Sequence, residues 1–150
     1  MDGPELSQLV EQRWTLLHEL LQLSERQIDA IKGSRMTELM RILSEKQTPL
    51  NQLADLAERL RPATGDDPSE RYWDSSAQRA KCRSQQEECE KMHLELLAIE
   101  AECESNLLAS RDEIQKELQR VDSARQTING YGSQHSRLES GGQLDLSSDA

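Results

Sequence analysis

Glu90 and His93 stand three residues apart, the Glu-x-x-His spacing that puts a carboxylate and an imidazole on one face of a helix, where carboxylate-bridged bundles hold metal pairs. A site of that kind needs a second copy of the pair and two further inward glutamates. His18 and His135 have no glutamate three residues earlier, and Glu90 and His93 flank the apolar Met92, so solvated flanking positions account for the pair without a metal. Cys82, Cys89 and Cys103 are spaced by seven and fourteen residues, which places them on one helix face but about 10 Å or more apart along its axis, beyond the reach of a disulfide within that helix. An odd number of thiols without metal-ligand spacing fits reduced cysteines acting as small hydrophobes in a seam, with an intermolecular redox bridge as the alternative.

The remaining candidates concern binding. No Ser-His-acid set, phosphate loop or metal cluster is visible, and the run Glu87, Glu88, Glu90, Glu95, Glu100, Glu102, Glu104 reads as a solvated acidic face. Trp14 and Trp73 lie near helix starts, where a tryptophan either packs or anchors a partner. Tyr131 sits between Gly130 and Gly132 with little to pack on locally, so exposure for recognition competes with a helix-ending contact. No catalytic residue, cofactor or metal is expected.

The elements that carry these residues follow from one pattern. From Leu6 to Ile128 the apolar residues fall three and four positions apart and almost never two apart, the mark of helix stripes. The chain has no Phe, 35% hydrophobic residues and 3% aromatics, a composition suited to long helices that each bury one seam. A net charge of −10, with the acidic residues spread along the helices, opposes binding to nucleic acid or to an anionic membrane surface. The start, Met1-Asp2-Gly3-Pro4-Glu5, lacks the basic and apolar regions of a signal peptide, and no run approaches the roughly 20 apolar residues of a membrane span, so a cytoplasmic location is expected.

The first helix opens at Asp2 or Gly3 and carries two adjacent stripes, Leu6, Leu9, Leu16, Leu20, Leu23 and Val10, Trp14, Leu17, Leu21, Ile28, so it should touch more than one neighbour. Gly33 supplies a left-handed stop and Ser34 a cap for the next helix, which makes the first two helices an antiparallel hairpin. The second helix shows a seam at Met36, Leu39, Leu43, Lys46, Leu50, Leu53, Ala57 and Leu60, with Pro49 bending it near Glu45. Its leucines cannot offset the entropy of ordering it alone, so it needs tertiary packing.

Asp67-Pro68-Ser69-Glu70 has the form of a capping box with Pro at the first helical position, which predicts a third helix from there. Its pattern runs through Cys82, Cys89, Met92, Leu96, Cys103, Leu107, Ile114, Leu118, Val121 and Ile128, a length of about 90 Å against about 40 Å for each of the first two. Either it folds back near Ser105-Asn106 or half of its seam stays uncovered. With no Pro or Gly between Glu100 and Leu118, the uncovered half is favoured, as a binding stripe. Asn129-Gly130-Tyr131-Gly132 should end the helix before a Ser-, Gly- and Asp-rich tail. The expectation is an all-α fold: an antiparallel hairpin plus one long third helix, an elongated, coiled-coil-like three-helix bundle over 1–128, with helices at about 4–31, 35–61 and 68–128 and a flexible tail over 129–150.

This order of parts resembles the FlgN-type flagellar export chaperones. The resemblance rests on the leucine-rich first helix, Ala30-Ile31-Lys32-Gly33-Ser34, the stretch from Leu39 to Lys46-Gln47 with its leucine run to Leu60, and Tyr131-Gly132 before a Ser/Gly-rich end. Pro49 and the three cysteines depart from it. It implies a cytoplasmic, non-enzymatic chaperone in type III secretion that masks the amphipathic terminal helices of hook–filament junction proteins. It further implies that Leu107, Leu108, Ile114, Leu118 and Val121 bind cargo and that Tyr131 docks on the export gate. Ile128 extends the same stripe, and without cargo the stripe is expected to form a homodimer. The rival from another class is a self-assembling structural coiled coil without cargo; a metal-dependent enzyme ranks last.

Overall fold

The computed structural model describes residues 1–135, with side chains described as far as residue 130. Among these residues the fold is an all-α bundle of three helices, α1 (Gly3–Lys32), α2 (Met36–Leu60) and α3 (Ser76–His135), with two short 3-10 helices, Arg61–Gly65 and Pro68–Glu70, between α2 and α3. The chain divides into two compact units, Met1–Leu107 and a second that begins at Leu108.

Asp2 caps α1, its carboxylate accepting from the Glu5 N–H at 2.9 Å. Gly3 is needed there for space: its N–H donates to the Tyr72 carbonyl at 2.7 Å, and a Cβ would run into that carbonyl and the Trp73 ring. The far end of α1 corrects the expected turn. Gly33 has φ −86°, and the left-handed residue is Ser34, at φ 54°. The Arg35 N–H returns to the Ala30 carbonyl at 2.8 Å and the Ser34 N–H to that of Ile31 at 3.1 Å, a Schellman-type closure with serine in the position glycine usually takes. Ser34 therefore does not cap α2; the N-cap is Arg35, which makes no side-chain cap bond.

The seam of α2 is rotated from the expected one. Leu39, Ile42, Lys46, Pro49 and Leu56 are buried, whereas Met36, Leu43 and Leu50 are exposed. Helix α2 continues through Pro49, whose ring lies on the buried face, so a residue chosen against by helix propensity serves as packing.

The third helix begins at Ser76 rather than Pro68. Asp67 does accept from the Ser69 N–H at 3.0 Å and the Ser69 hydroxyl at 2.8 Å, but this caps only the turn Pro68–Glu70. The chain from Arg71 is instead held to α1 and the first 3-10 helix, the Arg71 guanidinium donating to the carbonyls of Met1 at 3.2 Å and Ala63 at 3.3 Å. A second box then starts α3: Ser75 Oγ accepts from the Gln78 N–H at 3.0 Å, and Gln78 Oε1 accepts from the Asp74 N–H at 3.1 Å. Backbone helix continues past Asn129 and Gly130 to His135, so those residues do not end it; the part of the expected tail beyond residue 135 lies outside the described residues.

The core of the first unit is three stacked layers, each joined by residues of α3. Leu6 and Val10 pack with Cys82, with Trp73 and Leu60 against them. Leu17 and Leu20 pack with Cys89, Met92 and Leu96. Leu23, Ala30 and Ile31 pack with Leu39, Ile42 and Cys103. This order makes α2 antiparallel to α1 and sets residues 76–107 of α3 parallel to α1.

Candidate partner-binding surface

Each layer contains one cysteine of the series Cys82, Cys89, Cys103, and the missing member, seven after Cys89, is Leu96. All three cysteines are buried, and burial pushes each thiol above its ordinary pKa. Protonated and out of solvent, they act as small apolar side chains and not as nucleophiles.

A polar group interrupts the apolar packing where α2 and α3 pass between the second and third layers. Lys46, 5% exposed, donates to Gln27 Oε1 at 2.8 Å and pairs with Glu100, whose Oε1 also accepts from Ser24 Oγ at 3.1 Å. The ammonium thus has partners on both other helices, the condition for burying a charge without prohibitive cost. Only one vertical register of the three helices satisfies all four groups.

The remaining chemical candidates are placed as follows. Glu90 and His93 are exposed, and no group of three His, Cys, Asp or Glu side chains among the described residues is arranged to hold a metal ion. Trp14 donates to Glu88 and meets His18 edge-on at 4.3 Å, while Trp73 packs on the first layer, so both tryptophans serve the bundle. An open cleft between α1 and α2 is lined by Gln8, Gln12, Gln52, Asp55 and Arg59, with no nucleophile set against a base. No helix among the described residues is long and apolar enough to cross a membrane.

The expected stripe is exposed throughout its described length. Leu107 is 37% exposed at the end of the first unit; in the second, Ile114 and Leu118 are each 58%, Val121 43% and Ile128 69% exposed. Leu107, Ile114, Val121 and Ile128 recur every seven residues and Leu118 adds the four-residue step, so these five share a face. Leu108, also exposed, follows Leu107 by one residue and so points about 100° around the helix, off that face. The side chain of Tyr131 lies outside the described side chains.

Further apolar residues of the first unit, not expected from the sequence, are exposed outside its core. Met36, Met40, Leu43 and Leu50 of α2 are exposed, and so are Leu94 and Leu97 of α3. Their signal was present: α2 carries two seven-residue series side by side, Ile42, Pro49, Leu56 and Met36, Leu43, Leu50, Ala57, and a single seam cannot bury both.

Comparison with known proteins gives one positive finding. The family model described as FlgN protein matches residues 1–143. No curated protein and no solved structure matches the chain.

Proposed function

The chain belongs to the FlgN family, and on that premise we propose that it is a non-enzymatic, cytoplasmic flagellar export chaperone that holds hook–filament junction proteins before type III secretion. The observation that carries this reading is the exposed stripe Leu107, Ile114, Leu118, Val121 and Ile128, a helical apolar face long enough to accept the amphipathic helix of another protein. Cargo helices that assemble by burying an apolar face are kept apart when that face is laid on the stripe. Arg111 and Arg125 fall seven residues before and after Leu118, in its row, and Glu113 and Glu117 lie to one side of the stripe; these charges set the orientation of the bound helix more than its affinity. Leu108 contributes at the edge, and Tyr131 is assigned to docking on the export gate.

The test is calorimetric titration of a purified hook–filament junction protein into the chain and into a variant carrying Ile114→Ser, Leu118→Ser and Val121→Ser. Each substitution removes about 1.5 to 3 kcal/mol of apolar burial where the side chain is fully covered in the complex, so affinity should fall by roughly a hundredfold or more. The three side chains are exposed, so helix content should not change. Equal affinity of the two proteins would overturn the reading. Tyr131→Ala should leave cargo affinity intact and weaken capture by the export-gate component.

A further inference from the structure

The chain carries a net charge of −10, yet residues 71–86, which open α3 and lead into it, hold four basic side chains and one acidic. Two of the four are committed within the bundle. Arg71 donates to the carbonyls of Met1 and Ala63 and lies 3.8 Å from Asp66, and Lys81 reaches Glu11 at 3.7 Å. Arg79 and Arg83 form no ion pair and no side-chain hydrogen bond among the described residues. They stand four residues apart on α3, about 6 Å along its axis, and both line a cleft of about 120 Å³. Leu6, Pro68 and Trp73 give that cleft its apolar lining, at the edge of the first core layer.

We propose that this cleft binds a short, extended acidic segment of a partner protein. Two carboxylates set two residues apart pair with Arg79 and Arg83, and an apolar side chain two residues further on packs against Leu6, Pro68 and Trp73. In an extended chain alternate side chains share one face at a spacing of about 6.6 Å, which matches the step between the two arginines. A guanidinium group meets a carboxylate with two parallel hydrogen bonds, so the pair selects carboxylates in register.

The dimensions and the charge of the surroundings favour this occupant over other anions. Pockets for drug-sized ligands and cofactors run to roughly 300–1,000 Å³, well above the volume of this cleft, which suits a single side chain. A long polyanion such as nucleic acid would run off the basic stretch onto Glu87, Glu88 and Glu90 of the same helix. A free phosphate would use the arginines and leave the apolar lining in water. The cap of α3 is already filled by Ser75 and Gln78, so the attraction comes from the guanidinium groups and not from the helix terminus. The site lies within Met1–Leu107 and uses none of the residues assigned to cargo, so it stands or falls apart from the cargo reading.

The experiment is a nuclear magnetic resonance titration of the isotope-labelled full chain with the blocked peptide Leu-Ser-Glu-Ser-Glu-Ser-Leu, which offers a leucine beyond either glutamate. The indole N–H of Trp73 should shift and saturate, while that of Trp14, engaged with Glu88, should stay in place. The same peptide with glutamine for both glutamates should bind about tenfold or more weakly, and so should the unaltered peptide to Arg79→Gln with Arg83→Gln. Both arginines are exposed, so circular dichroism of the variant should show unchanged helix content. A Trp73 signal that stays in place at millimolar peptide overturns the proposal. So does equal affinity for the glutamine peptide or of the variant, which would mean apolar contact alone. Inorganic phosphate that moves the Trp73 signal with the same affinity as the peptide also overturns it, by showing a general anion site.

Discussion

The series Cys82, Cys89, Leu96, Cys103 and the series Ile114, Val121, Ile128 are written in the same seven-residue period on one helix, yet the first is buried and the second exposed. In Met1–Leu107 the period is matched by stripes on α1 and α2, and three layers close over it. Among the described residues of the unit that begins at Leu108, the same period meets no buried layer. Periodicity therefore establishes that a helix has an apolar face; it does not establish that the face is covered. The covered series contributes to stability, and the uncovered one is free to contribute to binding.

The largest expected effect tests that division directly. Leu17 is 0% exposed in the second core layer, and Leu17→Ala should cost about 3 kcal/mol, within the 2–5 kcal/mol range for cavity-forming core substitutions. Ile114→Ala, in dilute solution where no second molecule covers the residue, should change stability by no more than about 0.5 kcal/mol. Urea denaturation followed by circular dichroism measures both. Similar costs for the two would mean that Ile114 is covered within its own chain, and the contrast between the regions would fail.

A middle-sized effect sharpens the account of why the first unit has one register. Glu100→Ala leaves the buried Lys46 ammonium with Gln27 as its remaining partner and should cost about 2 kcal/mol, discounted from a fully buried pair because the Glu100 side chain is 41% exposed. Lys46→Met removes the charge and keeps the volume, so it should lie within about 1 kcal/mol of the unaltered protein. The asymmetry is the informative quantity. Equal costs would mean that the pair itself, and not the penalty of an orphaned charge, holds the helices in register.

Much of the architecture was legible in the sequence because it depends on local rules. Three-four spacing gave the three helices, Asp2 and Pro4 the start of α1, and the seven-residue cysteine series a seam instead of a reactive site. The family likeness was legible too, and the family model match bears it out. What failed were choices between competing local signals. Asp67 to Glu70 is a sound capping box, but Arg71 and the Tyr72 carbonyl are committed to the start of α1, so the helix waits for the Ser75 box. In α2 a proline does not read as a core residue, so the seam was drawn through Leu43 and Leu50 instead of Ile42 and Pro49. The same error hid the exposed apolar residues of α2: Leu43 and Leu50, credited to the seam, lie outside it.

The smallest expected effect concerns the turn that joins α1 to α2, and it separates two accounts of what closes the hairpin. If Gly33 were the left-handed residue, Gly33→Ala would be costly and Ser34→Gly neutral or slightly harmful. The observed dihedrals reverse this: Ser34 occupies the left-handed region at φ 54°, where a side chain costs roughly 1–2 kcal/mol per residue, whereas Gly33 at φ −86° needs no glycine for its dihedral. Ser34→Gly relieves that strain, and the extra freedom it gives the unfolded chain returns about 0.4–1 kcal/mol of the gain. A net stabilisation of about 0.5–1 kcal/mol is expected, read as a higher urea midpoint at unchanged slope. Gly33→Ala is a closer balance, because its Cβ would stand 3.2 Å from the Asp29 carbonyl oxygen and against the mobile end of Arg35, so its sign depends on how far that carbonyl can yield. A Ser34→Gly protein less stable than the unaltered one would show that the serine earns its place through the second-helix cap and not through the turn, and the hairpin closure described above would have to be redrawn.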